Sequence, residues 1–193
     1  MKVTKAQAQA NRARIVETAS TLFRERGYDG VGVADISAAA GFTHGGFYRH
    51  FPSKSHLMAE AAARGISTTV ENTDGVDIAA FFKRYVSRAH RDARGVGCTM
   101  AALCGDAARQ SDDVKTVFAA GIDTLLEALE HEGAALKDGD RRKFRAEMIN
   151  ALAHAVGAVV LSRACPDDSA LADEILKVCR KQIVMELRPV AAG

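Results

Sequence analysis

The stretch GFTHGGFYRHFPSK, residues 41–54, decides how the rest of the chain is read. Thr43 is a good N-cap, with a side-chain oxygen for the free amides of a first helical turn. Pro52 cannot continue a helix. A short helix therefore starts at Thr43 and carries Phe47 and Phe51. Its polar side gathers Thr43, His44, Tyr48, Arg49 and His50, while Phe42, Phe47 and Phe51 form the opposite, core side. Thr and His hydrogen-bond base edges or phosphates, and Arg pairs with phosphate or guanine. Gly45 and Gly46 each cost about 0.8–1 kcal/mol against Ala in a helix. Two in succession point to a backbone that must come close to something bulky, such as a sugar–phosphate edge.

Upstream, a second short helix is expected over 33–40, with Ile36 and Ala40 facing inward and Gly41 stopping it. Two short helices joined at Gly41 make a helix-turn-helix pattern. The first helix is expected over about 7–26, on the spacing of Ile15, Ala19, Leu22 and Phe23, with Gly27 at the C′ position. Downstream, Ser53 caps a fourth helix running to about 69, and the polar segment 71–77 reads as a linker. Asp77 caps a fifth helix, to about 93, with Ile78, Phe81, Phe82 and Tyr85 on its apolar side. Gly95-Val-Gly97 breaks it. Helices follow over 98–110, from 111 to about 136, over 141–164 and over 169–187. The turns between the last three fall at 137–140 and 165–168.

Composition agrees with an all-α chain. Among 193 residues there are 36 Ala and only 3 Pro, and no strand, repeat or low-complexity tract is visible. The longest apolar run, 155–161, is far short of the ~20 residues of a membrane span. The basic, polar start is not a secretory leader, so a cytoplasmic, membrane-free protein with reduced thiols is expected. Cys98, Cys104, Cys165 and Cys179 form no CxxC pair. No metal site is expected, because His90, His131 and His154 fall on three different helices. No enzymatic activity is expected, since there is no nucleophile elbow, P-loop, paired-carboxylate arrangement or GxGxxG, and no cofactor is expected. The net charge of +2 hides an asymmetry. Residues 1–54 carry +4 and the remainder −2, a small basic end on a slightly acidic body.

The stretch LFRERGYDGVGVADISAAAGFTHGGFYRHFPSKSHLMAEA resembles the N-terminal domain of the TetR family of bacterial transcriptional repressors. The matching elements are Phe23-x-x-x-Gly27-Tyr28, the Val33/Ile36/Ala40-Gly41 helix, and Thr43-x-Gly-x-Phe-Tyr-x-His-Phe with Ser53-Lys54. The resemblance covers about residues 10–60. It implies a homodimer with a three-helix DNA-binding head and a six-helix ligand-binding body, divided as 1–54 and 70–193 with helix 53–69 as connector. It also implies that Thr43, His44, Gly46, Tyr48, Arg49, His50 and Lys54 face an operator. One departure is Gly32, where the family usually begins the second helix with Ser or Thr. The basic residues from Lys2 to Arg14 are expected to grip phosphates.

The last two helices carry long apolar seams. Leu171, Ile175, Val178, Gln182 and Met185 form a coiled-coil-like stripe, and Leu176 and Ile183 form a second face. In the helix before, Ala151, Ala155, Ala158 and Gly157 permit close backbone approach. These features predict a dimer interface through 141–164 and 169–187. A cavity for a largely apolar inducer is expected among helices 77–136. Its candidate wall is Phe81, Phe82, Tyr85, Met100, Leu103, Cys104, Phe118, Ile122 and Leu125, with His154 as a hydrogen-bonding partner. No cluster of Arg or Lys marks an acidic ligand. Two other readings stay open: a repressor that senses oxidants or electrophiles through Cys98, at a helix N-terminus, and a non-specific DNA-binding protein.

Overall fold

The computed structural model describes residues 4–132 and 138–187. Ten α-helices follow in order: α1 Lys5–Arg26, α2 Val33–Ala39, α3 His44–Phe47, α4 Lys54–Glu71, α5 Ile78–Tyr85, α6 Arg88–Asp92, α7 Thr99–Ala107, α8 Asp112–Glu132, α9 Asp138–Ala164 and α10 Ala170–Glu186. There is no strand among the described residues, so the all-α expectation holds. The turn expected at 137–140 is instead helical from Asp138; Lys137 lies outside the described residues.

The chain divides into two compact units, Met1–Thr68 with Cys98–Gly121, and Thr69–Gly97 with Ile122–Gly193. The first holds more than a helix-turn-helix head, because α7 and the first half of α8 pack with it. Its core contains Ile15, Phe23, Tyr28, Ile36, Phe47, Phe51, Leu57, Met100 and Leu103, all at most 2% exposed. Gly27 ends α1 at φ 75°, a left-handed conformation that costs glycine little. The freed amide of Tyr28 is met from α7, where Asp106 Oδ2 accepts it at 3.1 Å. Gly32 has no side chain to cap α2. The first turn is closed from the other direction, by Asp35 Oδ2 accepting the Gly32 amide at 2.8 Å, which is half of a capping box. Gly65 on α4 permits a close helix crossing. A Cβ there would overlap Thr99 Oγ1 and come within 2.5 Å of Arg24 Nη1 and 2.9 Å of Ser20 Oγ.

In the second unit the single helix expected over 77–93 is broken. α5 stops at Tyr85, Val86 turns the chain at φ −90°, ψ 66°, and Ser87 caps α6 by accepting the His90 amide. The carbonyl of Tyr85 is met by His90 Nδ1 at 2.6 Å. A side chain able to start a new helix sits one residue after a β-branched one, so the break is local chemistry that the helical spacing concealed. α9 packs on α10, and Ala151, Ala155 and Ala158 are buried inside this unit, at 3%, 0% and 2% exposure. The small-residue stripe of α9 is therefore buried within this unit. By length and composition α9 could cross a membrane; its buried face runs from Met148 to Val159.

The C-terminal ends of α6 and α9 are interlocked by two arginines. Arg91, 1% exposed, donates to Ser162 O and Cys165 O at 3.1–3.2 Å. Arg163 donates back to Arg91 O and His90 O at 2.9 and 3.1 Å. Asp92 and Asp167 neutralise Arg91.

Gly65→Ala should destabilise the protein by about 1–3 kcal/mol through overpacking. Gly105→Ala, where a Cβ meets nothing within 4 Å, should be neutral or stabilise α7 by about 0.5–1 kcal/mol. Urea unfolding of the two variants checks the contrast; equal midpoints would show that the crossing is not tight.

Candidate nucleic-acid interface

α3 is shorter than its sequence suggests. Only His44–Phe47 is α-helical, and Thr43 makes no side-chain cap bond. The path nevertheless continues to Phe51 through Arg49 N–H to Gly46 O, His50 N–H to Phe47 O and Phe51 N–H to Phe47 O, at 3.3, 2.9 and 3.1 Å. Two adjacent glycines weaken the α-helix, and tighter i→i−3 bonds take over. What holds the segment is burial. Phe47 and Phe51 are fully buried and stacked, with centroids 5.4 Å apart.

On that base the polar face is presented outward. Tyr48 is 55% exposed, its ring edge-on to Phe47 at 5.1 Å. Arg49 and Thr43 are exposed, and His50 is half-buried beside Phe42. The His44 side chain lies outside the described residues. A Cβ at Gly46 would make ordinary contact with Thr43 Oγ1 at 3.4 Å, and one at Gly45 would meet nothing. The protein itself gives no steric reason for glycine at 45, so the open space beside it is available to an approaching backbone. Lys54 Nζ donates to Tyr28 O at 2.6 Å, which secures the start of α4 with one of its three donors.

The basic residues expected to form an arm divide differently. Lys2 lies outside the described residues. Arg12 and Arg14 belong to α1 and are used internally: Arg12 lies 4.6 Å over the Phe51 ring and pairs with both oxygens of Glu60, and Arg14 lies 4.7 Å over Phe42. Each guanidinium covers an aromatic face of the outward-facing segment. No local pattern reveals these pairings, since their partners are 28 to 48 positions away. Asp106, which reaches Tyr28 across 78 positions, is invisible for the same reason.

The ligand candidates fall in both units. In the second, Phe82 and Tyr85 are buried and share contacts with the Phe81 ring, while Ile122 and His154 are half-buried. In the first, Met100 and Phe118 are buried and Cys104 is half-buried, with burial pushing its thiol up to about 11. Cys98 is at the N-cap of α7 but only 4% exposed. Buried thiols are ordinarily inert, which does not favour the sensing alternative.

The family pattern described as bacterial regulatory proteins, tetR family, matches residues 15–61. Over 112 residues the chain is 32% identical to the HTH-type transcriptional repressor DhaR of Mycobacterium sp. (strain GP1). That match covers 54% of this chain and 56% of DhaR, so the chain spans just over half of that relative's length. Two solved structures share the fold. The reduced form of E. coli NemR has a TM-score of 0.73 at 16% identity, covering 90% of this chain and 95% of NemR. AibR, in complex with isovaleryl coenzyme A and operator DNA, has a TM-score of 0.59 at 17% identity, covering 90% and 98%.

Gly45→Ala separates an internal from an external role for that glycine. Thermal unfolding should show an unchanged or higher midpoint, by up to about 1 kcal/mol of helix propensity, while affinity for DNA in mobility-shift titrations falls. A destabilised protein with unchanged DNA affinity would reverse the assignment.

Proposed function

We propose, from the premise that the chain belongs to the TetR family of transcriptional regulators, that it is a homodimeric, cytoplasmic repressor which a small molecule releases from a palindromic operator. The observation that carries the DNA-reading role is the exposed Thr43-Tyr48-Arg49 face on a turn pinned by two buried phenylalanines. Tyr48 and Arg49 would read base edges or phosphates, and Thr43, His44, Gly46 and His50 would line the approach. Lys54 would offer its remaining donors to a phosphate. Two such faces related by a two-fold axis would meet successive major grooves about 34–36 Å apart.

The dimer is supported by apolar side chains left outside. On α10, Leu171 and Val178 stand seven residues apart at 55% and 58% exposure, opposite the buried Ala172, Leu176 and Ile183. On α9, Ile149, Val160 and Leu161 are 44–59% exposed. Monomeric proteins rarely leave such a stripe open. The inducer would be largely apolar and bind near Phe82 and Tyr85, and AibR's coenzyme A ligand supports small-molecule control within this fold. Release requires that it bind the non-operator conformation more tightly, by about 1–3 kcal/mol.

Tyr48→Ala should weaken operator binding by about 1–3 kcal/mol while leaving the circular dichroism spectrum and melting of the protein intact. Operator affinity at the wild-type level would overturn the reading face. Val178→Glu should raise the dimer Kd at least about tenfold, seen as monomer in sedimentation at micromolar concentration. A variant that sediments like wild type would remove α10 from the interface.

A further inference from the structure

Within the second unit, α5 and α10 flank an open depression of about 570 Å³ lined by Lys83, Lys177, Arg180, Lys181, Val184 and Met185. The α10 residues stand at i, i+3, i+4, i+7 and i+8, one continuous stripe of that helix. Lys83 joins them only because α5 packs against α10. Four cations therefore meet in one concavity, and among the described residues no carboxylate lines it. None of the four has an ion pair among the described residues. Other guanidinium groups of the same unit are neutralised: Arg88 by Asp92 and Asp173, Arg91 by Asp92 and Asp167, Arg145 by Asp123 and Glu130. A second depression of about 310 Å³ shares Lys177 and Arg180 and is extended by Arg88, Asp173 and Leu176.

The two kinds of surface in the larger depression are complementary halves of one ligand. Its lining is apolar at Val184 and the exposed Met185 and positive at Lys83, Lys177, Arg180 and Lys181. Its volume lies in the range of small-molecule sites, about 300–1,000 Å³. Like charges held together repel, and a bound anion relieves that repulsion. Arg180 adds a planar fork suited to a carboxylate or phosphate.

We propose that the groove between α5 and α10 binds an amphipathic organic anion, a carboxylate or phosphate head carried on an alkyl chain. Lys177 and Arg180, common to both depressions, hold the head, with Lys83 and Lys181 closing around it. The chain lies on Val184 and Met185. Neither Phe82 nor Tyr85 is among the described residues that line it, and the proposal does not rest on the regulator reading.

Calorimetric titration of the full chain with dodecanoate, dodecyl phosphate and dodecanol, each below its micellar or solubility limit, tests it. Dodecanoate or dodecyl phosphate should bind saturably, at least tenfold more tightly than dodecanol, and the tighter of the two identifies the head group. The double variant Lys177→Gln/Arg180→Gln should weaken that binding tenfold or more, whereas Arg142→Gln/Lys143→Gln, removing equal charge from α9, should not. With the methionine methyl groups labelled, the Met185 resonance should move on titration and those of Met58, Met100 and Met148 should not. Absence of saturable binding by both anions, equal binding of dodecanol, indifference to Lys177→Gln/Arg180→Gln, or a shift at a buried methionine without one at Met185 would each overturn the site.

Discussion

The burial of Phe47 and Phe51 is the contact on which the outward-facing segment depends. A four-residue helix containing two glycines has no stability of its own, because nucleation alone exceeds what its few hydrogen bonds return. Two stacked rings removed from water supply the difference, each contributing about 1.5–3 kcal/mol on burial. From α1, Arg12 then covers the Phe51 ring and Arg14 that of neighbouring Phe42, and Lys54 ties the next helix to Tyr28. The polar face between them is held in place by neighbours rather than by its own helix propensity. Its glycine content is thereby tolerated, and Tyr48 and Arg49 are carried on a rigid support despite lying in a turn.

Much of this was legible in the sequence, and the failures share a cause. Helix identity followed from periodic apolar residues and from strong local stops such as Gly27, Gly41 and Pro52. The polar set on residues 43–50 followed from composition on one face. What escaped were pairings across long separations: Arg12 with Phe51, Asp106 with Tyr28, Lys83 with the α10 cations. The basic cluster is instructive, since Lys177, Arg180 and Lys181 share a face by spacing alone, yet only tertiary packing adds Lys83. The alanines of α9 mark a close-packing stripe by their size, but small residues report proximity and not which helix provides it. The break at Val86 was hidden because α5 and α6 each keep helical spacing.

The division into two units also changes how the head is understood. α7 and the start of α8 belong with it, tied at the end of α1 by Asp106. The backbone therefore passes between the units three times, at 68–69, 97–98 and 121–122. Three covalent links, rather than a single connector helix, therefore join the two units.

The exchanged arginines have a consequence for motion. The carboxyl ends of α6 and α9 each carry the negative pole of a helix, and two such ends repel. Arg91 and Arg163 each leave their own helix to satisfy the other's carbonyls, so separating the ends would expose both poles and strand a fully buried guanidinium at once. Sliding one helix past the other is costly from the first ångström, and the pair behaves as a single mechanical piece.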